Sequence, residues 1–170
     1  MDARGWKLDA RGCKLDAGGW KLDAGGWMLD SYCYCYYLTL SPKEGINMDK
    51  KELAVQYKHS GYNCAQAVIA AYADELGVDL VTARALGAGF GAGMGTMGAT
   101  CGALCGAQTV LGLMNKGSAV MGAARKLYNG FFDRCGATIC AELKGITTGR
   151  TLCSCDNCVA NAVAVLEELL

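Results

Sequence analysis

The chain has 170 residues, room for one ordinary domain, and its 16 basic and 16 acidic side chains cancel to a formal charge of zero. No basic stripe is visible, which argues against nucleic acid as a partner. A single proline and an apolar fraction of 52%, much of it alanine, predict an all-α fold with closely packed backbones. Eleven cysteines without an export signal indicate a cytoplasmic protein that uses sulfur for metal or redox chemistry.

The N-terminal part looks foreign to the rest of the chain. Residues 3–30 hold four copies of one heptad, in which Gly-Gly beside Trp disfavours both a helix and a coiled coil. Codons for Lys43, Glu44 and Gly45 would resemble a bacterial ribosome-binding site shortly before Met48. We therefore expect residues 1–47 to be a non-native or disordered tail and residues 48–170 to form a helical, cysteine-rich redox domain. A genuine low-complexity tail is the alternative.

Apolar residues beyond Met48 recur at helical spacing and predict a compact bundle of about five or six helices. The expected segments are 50–58, 64–76, 80–86, 100–114, 118–135, a short turn or helix near 138–145, and 154–170. Residues 87–98 contain six glycines and are expected to form an ordered loop. The stretch 85–115 has no charged residue and is long enough to span a membrane, but its glycines disfavour that interpretation.

Four cysteines closely follow residue types that begin helices. They are Cys64 after Asn63, Cys101 after Thr100, Cys140 after Thr138 and Cys155 after Ser154. In a first helical turn, free N–H groups and the helix dipole favour a thiolate. Four such thiols predict redox chemistry, a soft-metal site or an iron–sulfur centre.

Two short motifs concentrate the cysteines. In CGALCG at 101–106, we interpret Cys101 as functional and Cys105 as a small buried hydrophobic residue. The two glycines of this motif would allow another backbone or a cluster to approach closely. In CSCDNC at 153–158, Cys155 and Cys158 form a C-x-x-C pair that redox dithiols, zinc sites and iron–sulfur sites share. A second such pair is missing, which makes zinc the less favoured metal. The absence of C-x-x-C-H excludes covalent haem.

Several pieces of the chain together resemble a bacterial redox-active family named for its C-GCAxxG-C-C cysteine pattern. They are YNCAQAV at 62–68, FGAGMG at 90–95, CGALCG at 101–106, GATICAELKG at 136–145 and CDNCVANAVAVLEELL at 155–170. The resemblance covers residues 48–170 and implies a helical fold, a redox role and genes near those of transporters. It assigns the shared cysteines to Cys64, Cys101, Cys140 and Cys155, with Cys158 as the substitute for Cys155. Split-Soret cytochromes look related and carry an iron–sulfur cluster.

These observations favour a small protein for electron transfer or redox sensing. The four shared cysteines would ligate a 2Fe–2S-type cluster or another thiophilic metal, within one chain or across a homodimer. One alternative is a thiol–disulfide oxidoreductase without metal. Another is a non-catalytic subunit of a membrane transporter, for which the uncharged stretch 85–115 is the sequence support. The redox partner and any enzymatic activity are left open.

Overall fold

The computed structural model describes residues 7–8, 14–15 and 49–170. The chain divides into two units, Met1–Asn47 and Met48–Leu170. In the first unit, strand β1 (Lys7–Leu8) pairs antiparallel with strand β2 (Lys14–Leu15). The prediction of a non-native or disordered tail over residues 1–47 lies otherwise outside the described residues.

Residues 49–170 fold as a compact all-α unit, as predicted. The α-helical segments are α1 (Lys50–His59), α2 (Cys64–Ala71), α3 (Ala73–Leu76), α4 (Leu80–Leu86), α5 (Gly91–Met94), α6 (Gly102–Met114), α7 (Met121–Cys135), α8 (Cys140–Lys144) and α9 (Cys155–Glu167). A 3-10 turn, Ala88–Phe90, precedes α5. Helices α1, α2, α6, α7 and α9 are the longer ones, and the other four segments have seven residues or fewer. The prediction of five or six helices differs because it joined α2 and α3 in one segment and assigned α5 to a loop. The expected segments 80–86 and 138–145 correspond to α4 and α8.

Helix α2 lies at the centre of the domain and packs against α1, α4 and α6, while α9 packs against α1, α6 and α7. Six of the eight residues of α2 are buried, and four of those six are alanines. A largely apolar surface of this kind suits a helix that is enclosed on most sides. The largest fully buried side chains include Ile69 of α2, Leu104 of α6 and Phe131 of α7.

The glycines of CGALCG permit the tight contact between α6 and its neighbours. A Cβ atom on Gly106 would lie 2.7 Å from the carbonyl oxygen of Ala65 in α2. A Cβ atom on Gly102 would lie 2.6 Å from the carbonyl oxygen of Phe90. These positions therefore meet another backbone, and any side chain there would push α6 outward.

Several predicted helix ends are confirmed and others are wrong. Asn63, Asp79 and Ser154 cap α2, α4 and α9 with their side chains, as expected. Ser118 does not cap α7, which begins at Met121. The predicted loop 87–98 contains the 3-10 turn and α5, although Ala92 and Gly93 inside α5 have left-handed backbone angles. Among the described residues, no helix is long and apolar enough to cross a membrane.

Candidate functional site

The four cysteines singled out from sequence all lie at the N-terminal ends of helices. Cys64, Cys140 and Cys155 are the first residues of α2, α8 and α9. Cys101 occupies the N-cap position of α6. Each sulfur thus stands near backbone N–H groups that have no partner within their own helix.

Side-chain caps position two of these cysteines. Asn63 accepts a hydrogen bond from the N–H of Gln66, and the Gln66 side chain accepts one from the N–H of Asn63. The Asn63 amide also donates to the carbonyl of Gly87 at 3.1 Å, which ties the start of α2 to the glycine-rich segment. Ser154 accepts from the N–H of Asn157 at 3.2 Å and fixes the start of α9.

Backbone pairing positions the other two cysteines. The N–H of Cys101 donates to the carbonyl of Thr138 at 2.8 Å, and the N–H of Cys140 donates to the carbonyl of Ala99 at 3.0 Å. These bonds flank an isolated antiparallel bridge between Thr100 and Ile139. The prediction that Thr100 and Thr138 cap α6 and α8 is therefore wrong, because both residues belong to this extended pairing.

One cavity of about 290 Å³ opens between these helix ends. Its lining includes all four cysteines and two more from the CSCDNC motif. The lining residues are Lys58, Tyr62, Asn63, Cys64, Ala92, Cys101, Gly102, Cys140, Leu143, Lys144, Cys153, Cys155 and Cys158. Cys105 lies outside it, half-buried, with its sulfur 3.9 Å from the carbonyl oxygen of Thr100. The fold thus brings together residues that are spread over most of the domain.

The glycine-rich segment packs closely against one wall of this cavity. Gly93 has φ of +56°, and a Cβ atom there would lie 2.7 Å from the Cβ of Cys140 and 2.9 Å from the carbonyl oxygen of Ala99. Ala92, which lines the cavity, also has a positive φ of 48°. Glycine is therefore required at position 93 for both its backbone angle and the contact with Cys140.

Two lysines bring positive charge to the cavity, and the sequence patterns did not indicate either one. Hydrogen bonding to Cys155 raises the pKa of Lys144. Hydrogen bonding to Asp156 raises the pKa of Lys58, whose Nζ lies 2.8 Å from the Asp156 carboxylate. His59, which is exposed, pairs with the same carboxylate at 3.0 Å.

The cavity thiols differ in how readily they ionise. Burial, reinforced by the neighbouring Cys155 and Cys101, raises the pKa of Cys64 to about 12. A hydrogen bond with the Cys158 thiol lowers the pKa of Cys101 to about 7, and the N–H groups of Ala103 and Leu104 act in the same direction. Burial also raises the pKa of Cys140, so the expectation that a helix start favours the thiolate is wrong for Cys64 and Cys140. Because each thiolate disfavours the next, full ionisation requires a compensating cation in the cavity.

A second group of thiols adjoins the cavity, and two of its members, Cys153 and Cys158, line it. The sulfurs of Cys135, Cys153 and Cys158 are all within 4.8 Å of one another, and all three residues are buried. Hydrogen bonding with Cys158 lowers the pKa of Cys135 to about 6, whereas burial raises the pKa of Cys153 to about 11. Hydrogen bonds with the Cys101 and Cys135 sulfurs raise the pKa of Cys158. Three buried cysteines in this arrangement could hold a metal ion. The sequence could not reveal the group, because Cys135 ends α7 and only the fold brings it to the CSCDNC motif.

Comparison with known proteins places the chain in a family. A family model described as "Putative redox-active protein (C_GCAxxG_C_C)" matches residues 62–169. Neither the curated proteins nor the solved structures gave a match. The matched segment contains every cysteine of both groups described above and covers well over half of the chain. The resemblance found in the sequence motifs is thereby confirmed, and the chain belongs to the C_GCAxxG_C_C family.

Proposed function

We propose that this protein transfers electrons or senses redox state through a 2Fe–2S-type cluster, or another thiophilic metal centre, ligated by Cys64, Cys101, Cys140 and Cys155. The observation that carries the proposal is the convergence of four helix N-termini, each with one of these cysteines, on a cavity of about 290 Å³. Such a centre supplies one-electron chemistry at a potential set by net charge, hydrogen bonds to sulfur and solvent exposure.

The electrostatics of the cavity support an anionic centre. Each helix N-terminus carries a partial positive charge of about 0.5 elementary charge, and four of them face the same space. Lys144 adds a positive charge at its wall, whereas the charge of Lys58, which also lines the cavity, is paired with Asp156. Thiolate ligands and inorganic sulfide are negatively charged, so this surrounding offsets part of their charge and favours the more reduced, more negative state.

The spacing of the sulfurs supports a cluster over a single zinc ion. Among residues 49–170, the sulfurs that lie within 4.8 Å of one another are those of Cys135, Cys153 and Cys158. The four proposed ligands do not form such a group. Zinc holds each thiolate at about 2.3 Å, so four ligands around one ion must lie close together. A cluster with several metal atoms accepts ligands that are spread more widely.

The surroundings of Cys155 and Cys158 favour Cys155 as the fourth ligand. Cys155 is half-buried at the first position of α9 and interacts electrostatically with Lys144, which also lines the cavity. Cys158 lies about one turn further into the helix and belongs to the group with Cys135 and Cys153. Cys158 is therefore the weaker candidate, although it also lines the cavity.

Anaerobic purification of the full chain, followed by a visible spectrum and analysis of iron, sulfide and zinc, tests the proposal. We expect charge-transfer bands with iron and acid-labile sulfide. Serine at any one of the four proposed ligands should bleach the bands, whereas the matched control Cys105→Ser should keep them. Zinc without iron, or equal bleaching by Cys105→Ser, would contradict the assignment.

A thiol–disulfide oxidoreductase is the second candidate, favoured by the thiols of Cys64 and Cys155, which line the same cavity and interact electrostatically. Here an external disulfide would accept two electrons and two protons from these thiols as their S–S bond forms, and an external dithiol would reverse the step. Oxidised glutathione should then remove two free thiols per metal-free chain. No change in the thiol count would argue against this function.

We also propose, from the family resemblance, a cytoplasmic protein that forms a homodimer and acts beside a membrane transporter. Sedimentation of the purified chain tests the dimer, since a monomer at micromolar concentration would exclude a cluster shared across two subunits. Co-purification with the neighbouring transporter from gently solubilised membranes tests the partner.

A further inference from the structure

Three buried thiols, those of Cys135, Cys153 and Cys158, form a second group. The family resemblance assigns neither Cys135 nor Cys153, and Cys158 is the weaker candidate for its fourth cysteine. The three thiols come from the end of α7, from the loop before α9 and from the first turn of α9. Residues that are distant in the sequence have thus been brought to one point, with their sulfurs mutually within 4.8 Å. We propose that they form a separate three-coordinate site for one soft monovalent metal ion of the Cu(I) type.

The scaffold around the three sulfurs holds them in place. The N–H of Cys153 donates to the carbonyl of Leu143 at 3.2 Å, which fixes the loop against α8. The Cys158 thiol points to the carbonyl oxygen of Cys153 at 3.8 Å. Gly136, with φ of +83°, ends α7 directly after Cys135 and turns the chain away. A site on two helices and a pinned loop needs little rearrangement to receive an ion.

Asn161 supplies an independent indication of anionic sulfur. Its side-chain amide lies one turn after Cys158 on α9 and donates to the sulfurs of Cys135 at 3.4 Å and of Cys153 at 4.0 Å. Hydrogen bonds of this kind orient metal ligands and stabilise thiolates in metal sites. The amide thus acts on two of the three proposed ligands at once.

The number of ligands and their burial select the metal. Among residues 49–170, no fourth Cys, His, Asp or Glu atom joins the three sulfurs at this spacing. Cys135 is 4%, Cys153 7% and Cys158 2% exposed, so the three residues are withdrawn from the protein surface. Structural zinc takes four ligands, whereas Cu(I) is soft and accepts fewer. Binding would join Cu(I) to the three sulfurs and release to solvent whatever protons the thiols still carry.

The test uses the full chain with Cys64→Ser and Cys140→Ser, so that the proposed cluster cannot form and the site is assayed by itself. Anaerobic titration with Cu(I) against bicinchoninate should show one tightly held ion per chain. Cys135→Ser in this background should remove that ion, whereas the matched control Cys105→Ser should retain it. X-ray absorption at the copper edge should report three sulfur neighbours.

Asn161→Ala keeps every sulfur, so it tests the site even if Cys135→Ser fails to fold. We expect its Cu(I) affinity to fall about 10- to 100-fold, with circular dichroism unchanged. Four sulfur neighbours, equal retention of copper after Cys135→Ser, or zinc held as tightly as copper would overturn the proposal. Iron and sulfide in the unsubstituted chain test the cluster separately, so each idea can fail without the other.

Discussion

Replacing Gly106 with alanine should force helix α6 away from helix α2, because the new Cβ atom would meet backbone atoms that cannot rotate aside. It would lie 2.7 Å from the carbonyl oxygen and 2.9 Å from the Cα of Ala65. Non-bonded carbon atoms prefer separations of about 3.5–4.0 Å, so the two helices must part by several tenths of an ångström. The same displacement would shift Cys101 and Cys64 at the adjoining helix ends.

The magnitude follows from a comparison with Gly112→Ala in the same helix. A Cβ atom on Gly112 meets nothing within 4 Å. Both substitutions gain about 1 kcal/mol of helix propensity. Only Gly106→Ala adds overpacking, which typically costs about 1–3 kcal/mol. The free energies of unfolding of the two variants should therefore differ by about 1–3 kcal/mol, with Gly112→Ala the more stable.

Urea unfolding of both variants, followed by circular dichroism at 222 nm, measures this difference. Equal free energies of unfolding would refute the argument that the glycines of CGALCG serve backbone packing. A lower value for Gly112→Ala than for Gly106→Ala would refute it as well. The slope of each unfolding curve should be unchanged, since neither substitution alters the surface that is exposed on unfolding.

Further substitutions test the cavity and the helix ends. Gly93→Ala should destabilise the domain and weaken metal retention, because the new side chain would collide with Cys140; unchanged iron content and stability would contradict this. Asp79→Asn tests the pKa of the Asp79 carboxyl group, which a hydrogen bond from the backbone N–H of Thr82 holds below 3.8. As the pH falls from about 4 through that lowered pKa, the unsubstituted chain should lose the contribution of this carboxylate to its free energy of unfolding, because the carboxylate is protonated. The Asn variant has no such group to protonate, so parallel curves of stability against pH for the two proteins would contradict the prediction. Lys144→Gln should lower the reduction potential of the proposed centre by removing a positive charge beside Cys155, and an unchanged potential would exclude that contact.

The sequence was sufficient for features that local chemistry controls. Helix starts at Asn63 and Ser154 were predictable because a short polar side chain satisfies free N–H groups of its own first turn. The four helix-terminal cysteines followed from the same logic and from the family motif. The same reasoning failed at Thr100 and Thr138, because Thr100 pairs with Ile139 and the Thr138 carbonyl accepts a hydrogen bond from the N–H of Cys101. No local pattern encodes contacts between segments so far apart in the sequence.

Only the tertiary structure decided where the sulfurs meet. Position at a helix start did not decide which thiols favour ionisation, because burial raises the pKa of Cys64 and of Cys140. The cavity that the four cysteines share depends on the packing of α2, α6, α8 and α9. The group of Cys135, Cys153 and Cys158 depends on the point at which α7 ends against α9. Local structure is set by interactions over a few residues, and these could be inferred from the chain. Distances between segments result from core packing over the whole domain, and so they had to be observed.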